Sequence, residues 1–163
     1  MRRLGLLLLA TGCGPAMEVA CDELLSETPT LEIGTGVNAF AEIGEVTFFE
    51  RGPQGGLHIY ASVRAQGLYG GQGNGINETT PLLTYTVMSD DGVVTGGFVG
   101  LAKAMKRSSD GGVERIGDLA VLGTFDANLV EGVEVELFAE LSDSCGRSAS
   151  AVARTRLEEG VPQ

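Results

Sequence analysis

Tryptophan is absent from this 163-residue chain, histidine occurs once, at His58, and cysteine three times. With so few ligating and redox-active side chains, most metal-centre and cofactor chemistries have nothing to build on. No cofactor, no metal and no catalytic set is expected. Basic residues are also scarce: 11 Lys and Arg stand against 22 Asp and Glu, a formal net charge of -11. A strongly acidic surface repels phosphate backbones, so nucleic acid is not an expected partner. Long apolar runs are missing too; Leu4 to Ala10 is the most apolar opening stretch and falls far below the ~20 residues of a bilayer-spanning helix. What is present is 43% hydrophobic residues with only 20% charged, and 25 glycines without a collagen-like period. That composition belongs to a turn-rich globular chain, and the length predicts about one domain.

The N-terminus reads Met1-Arg2-Arg3, then the apolar run, then Ala10-Thr11-Gly12-Cys13. A basic start, a short apolar core and small residues are the layout of a secretory signal peptide. The tetrapeptide ending in Cys13 resembles a lipobox, the processing site of bacterial lipoproteins, with Ala10 where that family more often has Leu. The resemblance implies that residues 1–12 are cleaved, that Cys13 is lipidated and that the chain is held to a membrane by its N-terminal lipid. Gly14, where family members retained at the inner membrane have Asp, implies the outer membrane. The loss of Arg2 and Arg3 would take the formal charge from -11 to -13.

Given a lipidated Cys13, Cys21 and Cys145 remain as a pair, in a compartment where disulfides persist. Residues 13–30 carry Pro15, Pro29 and several acidic side chains with little periodicity and read as a tether, with one helical turn at Asp22 to Leu25. A bridge from Cys21 would pin that tether to the domain.

From residue 31 to 159 the pattern has period two. Leu57, Ile59, Ala61, Val63 and Ala65 alternate with polar or larger neighbours, as do Val133 to Leu141 and Ala149 to Leu157. Weaker strands are expected at Leu31 to Gly34, Glu45 to Arg51, Leu82 to Ser89, Val93 to Val99 and Glu114 to Phe125. Val99 to Lys106 permits a short helix. Gly-rich and Asp-Gly turns separate these segments, and Ser89-Asp90-Asp91-Gly92 is the clearest hairpin signal. Seven or eight short strands predict an all-β immunoglobulin-like antiparallel sandwich, with a barrel as the alternative. The missing Trp and the Cys21 to Cys145 spacing exclude an antibody-type domain. Gly52 to His58 and Asp143 to Ser148 together resemble segments of uncharacterised bacterial lipoproteins built on one β-sandwich, a resemblance that implies a fold and no activity.

For function, the expectation is a non-catalytic binding or structural module at the cell envelope, with an envelope protein or a glycan as partner. Gly70-Gly71-Gln72-Gly73-Asn74-Gly75 is the expected ligand loop, because function on sandwiches concentrates in end loops. It lacks the following helix that a phosphate cradle needs. The alternative is a hydrolase, or a Ca-dependent carbohydrate- or protein-binding domain, using His58 and acidic turns at Asp90, Asp91, Asp110, Asp118 and Asp143. His58 itself reads as an outward-facing residue bonded to the backbone of a nearby turn. Tyr60, Tyr69 and Tyr85 are the aromatics available to a sugar platform.

Overall fold

The computed structural model describes residues 21–24, 26–72 and 75–160. Cys13 and the whole signal segment lie outside them. The described residues form ten strands: β1 (Thr30–Thr35), β2 (Ala41–Glu42), β3 (Val46–Arg51), β4 (Leu57–Gln66), β5 (Leu82–Ser89), β6 (Thr95–Ala102), β7 (Lys106–Arg107), β8 (Val113–Val121), β9 (Glu134–Ser142) and β10 (Ser148–Glu159). All three strongly alternating segments are strands, and so are the five weaker ones, with ends shifted by a few residues. Two further strands, β2 and β7, are two residues long and carry no periodicity to detect.

One layer runs β2-β1-β4-β8-β7, the other β3-β10-β9-β5-β6. The layers are continuous because β3 pairs with both: antiparallel to the start of β4 and parallel to the end of β10. Across the opposite side, Gly96 bridges to Leu122. The order β1-β4-β8-β7 against β10-β9-β5-β6 is that of the two sheets of an immunoglobulin-like sandwich. The antibody hallmark bridge between sheets is replaced by a buried apolar stack.

That stack explains the pattern. Leu57, Ile59, Ala61 and Val63 of β4 face inward against Leu83, Tyr85 and Val87 of β5 and Val135, Leu137, Ala139 and Leu141 of β9, all almost fully buried. Successive side chains of a strand point to opposite faces, so the same alternation leaves Glu134, Glu136 and Glu140 outside. Val99 to Lys106 is not helical: β6 continues through Ala102, where Leu101 and Ala102 pair with Leu83 and Leu82 of β5, and Tyr85 and Phe98 lie across the same two strands with ring centroids 6.2 Å apart. A 3-10 turn spans Ala127–Leu129, capped by Asp126.

Four hairpin turns share one hydrogen-bond scheme. The N–H of the fourth residue donates to the carbonyl of the first in Gly52–Gly55, Ser89–Gly92, Ser108–Gly111 and Asp143–Gly146. The fourth residue is glycine each time, with φ between +71° and +93°, a conformation that other side chains resist.

Candidate functional site

The strand directions sort the loops into two ends. The end of β4, the starts of β5, β8 and β10 and the end of β9 converge at the end where β1 begins, so segments 67–72, 75–81, 103–112 and 143–147 cluster there. At this end Cys21 is joined to Cys145, with Cα atoms 5.5 Å apart. The pairing expected from cysteine parity is therefore present.

A second clamp surrounds the bridge. The Asp143 carboxylate accepts from the N–H groups of Cys145 and Arg147 at 2.9 Å each and from Tyr69 N–H at 2.8 Å. It thereby fixes the β9–β10 turn and ties it to the segment after β4. Arg147 then donates from its guanidinium to the carbonyls of Leu24 and Glu27. Residues 21–24 are helical. The tether is thus held by one covalent bond and one charged fork. Sequence reading missed Arg147, although its position two residues after Cys145 is a usable signal.

The proposed ligand loop sits at this same end. Gly73 and Asn74 lie outside the described residues. Gln72 N–H donates to Thr79 Oγ1 at 2.8 Å, and Asn77 Nδ2 donates to the Gln72 carbonyl at 2.7 Å. Asn77 Oδ1 accepts from both the N–H and the hydroxyl of Thr79. The amide of the Asn77-Glu78-Thr79 sequon is thus engaged in shaping its own turn. A groove of about 290 Å³ is lined by Tyr69, Gly70, Gly71, Glu23, Glu27 and Lys106.

His58 departs from expectation. It does lie on the outer side of β4, but its side chain is only 8% exposed, and its partner is the carboxylate of Glu50 rather than backbone. Glu50 stands opposite His58 in the β3–β4 ladder, which brings Nε2 to 3.2 Å from Oε1. Tyr60 donates its hydroxyl to the same oxygen at 2.5 Å and sets its ring edge-on to the imidazole. The bond to Glu50 raises the Tyr60 phenol above its ordinary pKa, with burial and the carboxylate charge acting the same way. This trio lies at the far end, and its bonds are mutual.

The acidic turns do not converge. Asp91 accepts from the Ser89 hydroxyl and Val93 N–H, and Asp110 accepts from the Ser108 hydroxyl and Gly112 N–H. Those bonds, the serine ones foremost, hold both carboxyls below the usual range. Among the described residues no group of three or more His, Cys, Asp or Glu is placed to hold a metal ion. Asp118 is buried where β8 and β6 part: Arg115 grips it through two nitrogens at 2.8 and 3.0 Å, and Lys103 reaches it at 3.2 Å while lying over the Phe98 ring. Of the three tyrosines, Tyr85 is fully buried and Tyr60 is engaged by Glu50, which leaves Tyr69 to a sugar platform.

Compared with known protein families, curated proteins and solved structures, the chain matches none of them.

Proposed function

We propose that this chain is a lipid-anchored bacterial lipoprotein whose sandwich is a non-catalytic binding module at the cell envelope, on the outer membrane. One observation carries the reading. Cys21 and Cys145 are consumed by their bridge, so Cys13 is the one cysteine of three outside it, and it stands at the end of the lipobox-like tetrapeptide. Lipidation gives that odd thiol a role.

The bridge also sets the geometry of the anchor. Cys21 stands eight positions after Cys13, a leash of at most about 28 Å when extended. The tether end of the sandwich, with Gly70, Gly71 and Gln72, then stays near the membrane. The open sides and the far end, with His58 and the 3-10 turn, are left to the compartment beyond it. Partner contacts on those surfaces meet less steric obstruction than contacts through the Gly70 loop. Several buried CH₂ groups at about 0.8 kcal/mol each make a two- or three-chain anchor firm.

The test is the intact mass of the membrane-extracted protein, with and without reductant. A chain starting at Cys13, heavier by acyl groups and gaining two hydrogens on reduction, is expected. Cys13→Ser should abolish the added mass and release the protein from membranes. An unacylated wild-type chain would overturn the anchor and leave a secreted domain.

A further inference from the structure

Most sheet edges of this molecule are blunted. β2 and β7 are two residues each, and β7 consists of Lys106 and Arg107. β6 is longer, but Gly97 and Gly100 have φ of +103° and +59° and Gly96 is already bridged to Leu122. Kinks, charges and short length are the devices by which proteins protect edges from unwanted pairing.

β10 has none of them in its first half. Ser148-Ala149-Ser150-Ala151-Val152-Ala153 contains no charge, proline or glycine. β9 pairs with it along one side over the full stretch. On the other side no described strand pairs with it until Arg156 meets β3. Arg156 N–H points to that side, donating to the Glu45 carbonyl. Backbone direction alternates along a strand, so the N–H and carbonyl groups of Ser150 and Val152 point there as well. Opposite lies β1, across a cleft of about 370 Å³ lined by Leu31, Ile33, Ala151 and Ala153, with Glu32 and Glu42 on its rim. The inward alanines 149, 151 and 153 are only partly buried, so apolar surface remains accessible on this side.

We propose that this edge takes up an extended segment of a partner protein as an added strand. Its alternate apolar side chains would enter the cleft, and lysine or arginine at its flanks would meet Glu32 and Glu42. Main-chain bonds supply affinity in this mode and alternate side-chain positions supply specificity. A basic partner is favoured over a second copy because two chains this strongly acidic repel. The inference gives the binding module of the preceding section its partner chemistry, and it stands or falls independently of the lipid.

The probe is the synthetic peptide Lys-Thr-Val-Thr-Val-Thr-Lys, added to the full chain. Saturable binding is expected, with hydrogen exchange at the Ser150 and Val152 amides slowed at least about tenfold. Val152→Pro removes an open-edge donor while sparing the bonds to β9, and should weaken binding about tenfold, the loss of one main-chain hydrogen bond. Val152→Lys, at an exposed position, should weaken the basic peptide without perturbing the fold. Absence of saturable binding would overturn the proposal, as would equal binding of a glutamate-flanked peptide. Slow exchange of the two amides in the free monomer would show the edge already covered. A dimer that Val152→Pro dissolves would assign the edge to a second copy instead.

Discussion

Cys21 and Cys145 are 124 positions apart in sequence and 5.5 Å apart at their Cα atoms, so a single bond encloses nine of the ten strands in one covalent loop. A loop of this length removes much conformational freedom from the unfolded chain, up to about 4 to 5 kcal/mol in the chain-entropy description. Replacing both cysteines by alanine should lower the unfolding free energy toward that amount, measured by urea titration. The double variant avoids a stray thiol. Native far-ultraviolet circular dichroism should persist, because the described part of the core contains neither side chain.

Asp118 should be the main acid-sensitive group of the described structure. Burial pushes its carboxyl up, but the bonds and charges of Arg115 and Lys103 together outweigh burial and leave it below the ordinary range. A carboxylate whose pKa is depressed by folding contributes stability above its unfolded value, about 3.9, and loses it as pH falls through the folded value. Asp118→Asn should therefore cost about 2 to 3 kcal/mol at neutral pH. The gap to the wild type should narrow as the solution is acidified below about pH 4. Thermal melts of both proteins across that range provide the check.

These two cases show what was and was not legible in the sequence. The strands with one buried face, β4, β9 and β10, announce themselves by period two, since Leu57 to Ala65 or Val135 to Leu141 must all face one core. The cysteine pair follows from parity once Cys13 is set aside. β2 and β7 are invisible because two residues hold no period. His58 reads in sequence as bonded to turn backbone; what selects Glu50 instead is the register of the β3–β4 ladder, which the sequence does not display. Asp118 resembled a surface turn residue; only the parting of β8 from β6 makes it the centre of a charged plug. The open edge at Ser148 to Ala153 was readable as a strand, but its lack of a neighbour depends on where β3 joins the sheet.

Tyr85 offers a substitution that should stabilise. Its side chain is fully buried against Phe98, and its hydroxyl has no hydrogen-bond partner among the described residues. Burial alone drives the phenol's pKa far upward. An unsatisfied buried polar group costs about 1 to 3 kcal/mol, so Tyr85→Phe should gain on the order of 1 kcal/mol in urea unfolding. The ring and its packing are unchanged in the variant, so a loss of stability would mean that the hydroxyl has a partner after all.

The Glu50, Tyr60 and His58 trio predicts an alkaline signature. Tyr60 ionises later than an ordinary phenol, first because it donates to Glu50 and then because of burial and the carboxylate charge. Raised by folding, its pKa contributes stability that is complete below about pH 10 and lost as pH climbs through the folded value. A phenolate absorbance titration of the native chain should show Tyr60 deprotonating after a free phenol would, and Tyr85 only on unfolding. Glu50→Ala removes both the acceptor and the charge, and should bring one of the three phenols back toward its ordinary value. His58 loses the same partner, so its imidazole resonances should shift in the same variant while those of a Tyr60→Phe protein keep the contact to Glu50. If Glu50→Ala leaves every phenol where it was, the bond between Glu50 and Tyr60 does not form in solution.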